Sequence, residues 1–294
     1  MEEIILQRKL EALGQNGTLI RKDGKTFLQL DCENAKELSM KWGEKLYPFT
    51  KTGKKWILEL PFSTPVNYVQ ICVDGQEVLS PELPIAHGYG RPYNYIELPD
   101  EDGLFELRDV PHGTLTQEFY KSKISDNWEK LIVYLPPCVP SAGLPVLYLQ
   151  HGFGESEISW STTGKVNFLM DNLIAAGKIK PFAIVMGNGM VKQRIDGELK
   201  LNRALYGQML VEEILPMIEK KYQFGGSKEK RGMAGLSMGS VQTTRTICAH
   251  PELFSEVGIF SGFLRDRIVG DEEHDGIVPK SGGQSYLKAM DDAA

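Results

Sequence analysis

The chain has 294 residues, 41% of them apolar and 24% charged, with a formal net charge of −6. That length accommodates two domains of ordinary size, and the composition is that of a globular protein. The acidic balance argues against a phosphate-binding surface and so against nucleic acid as a partner, and no run approaches the roughly 18 apolar residues that a membrane span needs.

The opening segment Met1-Glu2-Glu3-Ile4-Ile5-Leu6 has early acidic residues and no long apolar core, unlike a signal peptide. As written the chain is expected in the cytoplasm; a removed leader would make it secreted or periplasmic. Cys32, Cys72, Cys138 and Cys248 show no C-x-x-C spacing and no histidine at metal-ligand spacing. They read as reduced thiols, and neither a metal nor any other cofactor is expected. Asn16-Gly17-Thr18 fits a glycosylation sequon and equally a turn.

Residues 26–80 read as strands. Leu38, Met40 and Trp42 alternate with polar residues, as do Trp56, Leu58 and Leu60, which is the period of a half-buried strand. Val69, Ile71 and Val73 run into Asp74-Gly75, a hairpin signal, and Glu77-Val78-Leu79 continues beyond it. A small all-β, immunoglobulin-like sandwich is expected over residues 1–100. From Pro81 to Pro111 five prolines and three glycines leave little room for regular structure, and the boundary is placed there, near Asp100.

Residues 101–294 alternate strands and helices, which predicts a largely parallel sheet covered on both faces. Strands are expected at Leu131–Leu135, Val146–Gln150, Phe182–Met186, Gly232–Leu236 and Val257–Phe260. Val166, Leu169, Met170, Leu173 and Ile174 keep helical spacing, with Gly177 as the stop. Leu210, Val211, Ile214, Met217 and Ile218 mark a second helix, bent at Pro216.

Gly235-Leu236-Ser237-Met238-Gly239 follows the fourth of these strands and precedes a helix. It matches G-x-S-x-G, the strand–turn–helix elbow that lifts a serine hydroxyl clear of an α/β-hydrolase sheet. The helix beginning at Met238 aims free N–H groups at that elbow, where developing negative charge is stabilised. The loop His151-Gly152-Phe153-Gly154 after the second strand is suited to supply a second donor. The N–H groups of Phe153 and Met238 are therefore the expected oxyanion donors for Ser237.

With these stretches in view the chain resembles the carbohydrate esterase family 1 group of feruloyl and acetyl-xylan esterases, which are similar to enterochelin esterases. The resemblance is carried by Val110-Pro111-His112-Gly113-Thr114, by the His151-Gly152 loop with Trp160 and Gly164, and by the run Asn167–Lys178. Met186-Gly187-Asn188-Gly189, Glu213-Ile214-Leu215-Pro216, the elbow and His250-Pro251-Glu252-Leu253-Phe254 complete it. The N-terminal part looks like the β-sandwich, related to glycogen-binding modules, that often precedes such esterases. The resemblance implies hydrolysis of feruloyl or acetyl esters on plant polysaccharide through an acyl-serine, with Ser237 as nucleophile. Trp160 and Asn188, at loop positions near the mouth, are placed to contact substrate or to act structurally.

The family order is serine, then acid, then histidine on later strands. After Ser237 only one helix, one strand (Val257–Phe260), an irregular stretch and a helical tail from Ser285 to Asp292 are expected, so the α/β-hydrolase reads as incomplete and the domain as truncated before its acid and base. Of the later histidines, His250 matches a structural position, and His274 could pair with Asp266 in a charged loop. His151, His112 and His87 read as structural or linker residues. Activity is expected to be impaired, and an unfinished sheet edge favours self-association. Two alternatives stand beside the ester-bearing carbohydrate or small-molecule ester as substrate: a siderophore esterase, and a non-catalytic carbohydrate-binding protein using Tyr89, Tyr93 and Tyr95 or Trp42 and Trp56 as sugar platforms, although alternation assigns both tryptophans to the core.

Overall fold

The structure, a computed structural model, describes residues 3–6, 18–99 and 102–262. Asp266, His274, the tail from Ser285 to Asp292, the Asn16-Gly17 turn and the expected boundary at Asp100 lie outside the described residues. The chain divides into two compact units, Met1–Gly103 and Leu104–Ala294.

The first unit is a β-sandwich. One sheet has the order β1-β2-β3-β7-β6, from β1 (Glu3–Leu6), β2 (Thr18–Lys22), β3 (Lys25–Asp31), β6 (Thr50–Thr52) and β7 (Lys55–Glu59). The other has the order β10-β11-β8-β4-β5, with β9 also paired to β8. Its strands are β4 (Leu38–Trp42), β5 (Lys45–Pro48), β8 (Val66–Val73), β9 (Gln76–Val78), β10 (Ile85–Gly88) and β11 (Arg91–Glu97). Alternation decides the packing: Leu28, Leu30, Trp56 and Leu58 of one sheet meet Leu38, Met40, Val69, Ile71 and Ile96 of the other in one apolar core. Trp56 is buried and its indole N–H donates to the Cys32 carbonyl at 2.9 Å, while Trp42 is half-buried against Tyr47 and Phe62.

The proline-rich stretch differs from expectation, because β10 and β11 form a hairpin within it. Tyr89 and Gly90 take positive φ at its turn (52° and 82°), the geometry a two-residue hairpin loop requires. Pro92 sits where β11 pairs with β10 but not yet with β8, whose register begins at Asn94, so the missing N–H is tolerated. Tyr89, Tyr93 and Tyr95 therefore belong to the sandwich rather than to a linker, and Tyr95 is only 2% exposed, which removes it as a sugar platform.

The second unit is an α/β layer structure. Its sheet has the order β12-β13-β15-β14-β18-β19, built from β12 (Thr114–Lys121), β13 (Trp128–Leu135), β14 (Val146–Gln150), β15 (Ala183–Gly187), β18 (Arg231–Leu236) and β19 (Glu256–Phe260). The last four are parallel, and β12 and β13 run antiparallel along one edge. A separate hairpin joins β16 (Lys192–Ile195) and β17 (Glu198–Leu201). Neither β12 nor this hairpin is foreseen, since their apolar residues are exposed rather than buried in alternation; Leu115, Phe119, Ile195, Leu199 and Leu201 all face solvent.

Successive side chains of the central strands go to opposite faces. Ile132, Tyr134, Ile184 and Met186 pack with Val166 and Met170 of α2 (Val166–Ala175), beside the short α1 (Ser159–Thr162). Leu131, Val133, Val185 and Met233 pack with α3 (Leu205–Met209), α4 (Leu215–Tyr222) and Ile247 of α5 (Met238–Ala249). Gly177 closes α2 at φ +64°. Between α3 and α4 the five residues Leu210–Ile214 form a π-helical segment just before Pro216. A proline has no N–H for the preceding turn, and the lost hydrogen bond is accommodated by widening the helix there. No helix among the described residues is long and apolar enough to cross a membrane.

Candidate active site

The register of the sheet brings the two predicted loops together. Gln150, the last residue of β14, is the neighbour of Gly235 on β18, so the loop beginning at His151 and the elbow beginning at Ser237 leave the sheet side by side. Ser237 stands between β18 and α5 with φ 51° and ψ −109°, a conformation that side-chain-bearing residues avoid. It is held there by its own N–H, which donates to the Phe260 carbonyl on β19 at 2.9 Å. Its carbonyl accepts from the Ser240 hydroxyl at 2.6 Å and the Ser240 N–H at 3.0 Å. The flanking glycines are sterically required: a Cβ on Gly239 would lie 2.7 Å from the carbonyl oxygens of both Gln150 and His151.

Among the described residues none accepts a hydrogen bond from the N–H of Phe153 or of Met238. The neighbouring donors are engaged, Gly152 N–H with Glu155 Oε2 at 2.8 Å and Gly154 N–H with Met190 Sδ at 3.4 Å. The Phe153 ring is 45% exposed and lies under the guanidinium of Arg203, 5.1 Å from the ring centre.

No described histidine hydrogen-bonds Ser237. His151 is buried and fully used: Nδ1 donates to the Gly152 carbonyl at 2.8 Å, which leaves Nε2 to accept from the Gly189 N–H at 2.9 Å. Burial pushes its pKa below the ordinary imidazole value, so it stays neutral. His250 caps the far end of α5, roughly 20 Å from the serine at 1.5 Å per helical residue, and contacts Glu252 at 3.4 Å. His112 bonds Asp171 Oδ2 at 2.9 Å and the Arg108 carbonyl at 3.0 Å. His87 lies on β10 of the sandwich. No cluster of three or more His, Cys, Asp or Glu among the described residues could hold a metal ion.

Trp160 is not in a loop. It lies on α1, half-buried, with its ring 6.1 Å from that of Phe260, and its indole nitrogen is buried without a hydrogen-bond partner among the described residues. A Cβ on Gly164 would fall 2.8 Å from the Trp160 carbonyl oxygen, which accounts for the glycine that accompanies it. The signal was missed because α1 is four residues long and has no capping side chain. Asn188 follows β15, and its Oδ1 accepts the Met190 N–H at 2.9 Å, closing a local turn.

Sequence reasoning overlooked Gln242, Arg203 and Met190, which build the surroundings of the Phe153 loop. None of the three carried a readable sequence signal; Gln242 stands out only through its burial, a polar residue 6% exposed in the middle of a helix that begins at the nucleophile.

Residues 122–284, more than half of the chain, match the family model Esterase, described as "Putative esterase". An endo-1,4-beta-xylanase/feruloyl esterase of Xylanibacter ruminicola is 31% identical over 264 residues, covering 85% of this chain and 36% of that protein. The chain thus spans about a third of the length of that curated relative. Among solved structures, a CE1 ferulic acid esterase from Anaeromyces mucronatus in complex with ferulic acid superposes with a TM-score of 0.54 at 19% identity, over 66% of this chain and 84% of that one. The enterobactin esterase FES from Shigella flexneri gives a TM-score of 0.62 at 12% identity, over 98% and 91%. At these identities the two structures speak for the fold, an α/β-hydrolase preceded by a β-sandwich. On the family match, the chain belongs to the Esterase family.

Proposed function

We propose that this chain is a serine esterase that removes feruloyl or acetyl groups from xylan-type polysaccharide. The observation that carries the reading is the sheet register that starts the His151-Gly152-Phe153 loop and the constrained Ser237 elbow side by side, Gln150 next to Gly235. The Ser237 hydroxyl would attack the ester carbonyl, its proton passing to a general base that none of the described histidines supplies, while the N–H groups of Phe153 and Met238 would hold the oxyanion of the tetrahedral intermediate. The base would return the proton to the departing sugar alcohol, leaving an acyl-serine, which water cleaves to the free acid and regenerated Ser237. The 31% identity to a xylanase/feruloyl esterase supports the acyl group and the glycan. Hydrolysis of methyl ferulate and p-nitrophenyl acetate tests this. Ser237→Ala should remove the turnover that depends on the serine hydroxyl, and equal rates in both proteins would overturn the reading. A catecholate trilactone cleaved in preference to methyl ferulate would move the substrate to the siderophore class.

We further propose that the sandwich is a carbohydrate-binding module. Its six-stranded sheet carries an open groove of about 780 Å³. Tyr68, Tyr89 and Tyr93 line it with ring centres 5.8–6.4 Å apart, and Tyr89 is 70% exposed. Beside them Glu77 takes hydrogen bonds from Arg91 at 3.1 Å and Lys41 at 3.2 Å. Aromatic rings next to charged hydrogen-bonding groups suit the apolar faces and hydroxyls of pyranose rings. Affinity electrophoresis should show retardation in xylan that Tyr89→Ala abolishes, and free migration in both xylan and starch would refute the module reading.

A further inference from the structure

An oxyanion hole works only if its two donors keep a fixed distance from the nucleophile. The Met238 N–H is fixed by the helix it starts. The Phe153 N–H belongs to a loop, and that loop is anchored by a chain of contacts leading back to the same helix. Gln242, five residues after Ser237 on α5, donates through its single amide nitrogen to the carbonyls of Gly189 and Arg203, each at 2.9 Å. The Gly189 N–H donates to His151 Nε2 at 2.9 Å, and His151 Nδ1 donates to the Gly152 carbonyl at 2.8 Å, next to Phe153. From the other carbonyl, the Arg203 side chain covers the Phe153 ring. Met190, adjacent to Gly189, receives the Gly154 N–H.

We infer that Gln242 is a positioning residue of the oxyanion hole, tying to the nucleophile's own helix the two segments that brace the Phe153 loop. The inference rests on the serine-esterase reading above. The chemistry demands this side chain. Two carbonyls must be met by one uncharged nitrogen with two hydrogens, which Gln supplies; Glu would face them with acceptors, and Met would offer no donor. The amide orientation is fixed, since a flip would set Oε1 against both carbonyls. Space is equally constrained, because a Cβ on Gly189 would meet Gln242 Oε1 and Gln150 Nε2 at 2.5 Å each. Gln242 itself touches no reacting atom, so its effect must pass through the position of Phe153.

The test uses the full chain and compares Gln242→Met, close in size and without donors, with the parent protein. Expected are a kcat for methyl ferulate lower by about ten- to a hundredfold, less than the loss of a whole oxyanion donor, and a KM within about twofold. Affinity for an arylboronic acid, which forms a tetrahedral adduct on the serine, should fall by the same factor as kcat, while affinity for ferulate itself holds. Unchanged kcat, or a kcat that falls together with melting temperature while the boronate-to-ferulate affinity ratio stays at the parental value, would overturn the inference. Should Gln242→Met fail to fold, Gln242→Asn keeps both donors one methylene short: the same kcat and boronate pattern supports the inference, and parental values refute it. A parent chain that neither cleaves the ester nor binds the boronate through Ser237 would instead overturn the esterase reading and this inference with it.

Discussion

A Cβ placed on Gly235 would lie 2.2 Å from the carbonyl oxygen of Gly239, across the turn that holds Ser237. That oxygen is backbone at the start of α5 and cannot swing aside as a side chain would. Gly235→Ala should therefore destabilise the protein by about 3 kcal/mol or more, at the upper end of overpacking costs. Urea denaturation followed by far-UV circular dichroism measures it, and a loss below about 1 kcal/mol would mean that the elbow has slack.

The same turn predicts a gain. Ser237 holds φ 51° and ψ −109°, where a Cβ costs of order 1–3 kcal/mol. Ser237→Gly should be more stable than Ser237→Ala by about 1 kcal/mol, after allowing for the larger chain entropy of glycine in the unfolded state. Both variants should be equally inactive. An alanine variant as stable as the glycine one would show that the conformation carries no strain.

The elbow and the loop beside it were legible because steric and hydrogen-bonding demands there fall on neighbouring residues. The small residues around Ser237 mark a backbone that meets itself, and the apolar run Val146–Gln150 marks a strand buried on both faces. The hairpin of β10 and β11 was hidden by prolines whose cost depends on which edge of a strand is paired. Gln242 was illegible for another reason: its partners are backbone carbonyls at residues 189 and 203, and backbone acceptors leave no trace in composition. Trp160 was misplaced because a one-turn helix has too few residues to show a period.

His151 predicts how stability depends on pH. Burial lowers its folded-state pKa below the unfolded value of 6.5, so between those two values the unfolded chain binds the proton more readily. Unfolding free energy then rises with pH across that window, and the stabilisation is lost as pH falls from about 6.5 toward the folded pKa. Denaturation midpoints measured from pH 7.5 to 5 should decline, and His151→Gln should flatten that part of the curve. A decline of equal size in the variant would assign the effect to other groups.

Asp171 offers the sharpest stability test. Only 2% exposed, it accepts the Tyr134 hydroxyl at 2.6 Å and the Gly113 N–H at 3.0 Å on one oxygen, and His112 Nδ1 at 2.9 Å on the other. Burial and this carboxylate push the Tyr134 phenol well above its ordinary range, so the hydroxyl remains a donor at every pH the fold survives. Asp171→Ala strands the buried Tyr134 hydroxyl and the part-buried Gly113 N–H and leaves a cavity under the sheet, which should cost about 3–5 kcal/mol. Tyr134→Phe removes one donor cleanly and should cost about 1–2 kcal/mol. Because the hydroxyl serves only this carboxylate, the double variant should be no worse than Asp171→Ala alone by more than about 0.5 kcal/mol. Strict additivity in that cycle would mean that the 2.6 Å contact contributes nothing to the fold.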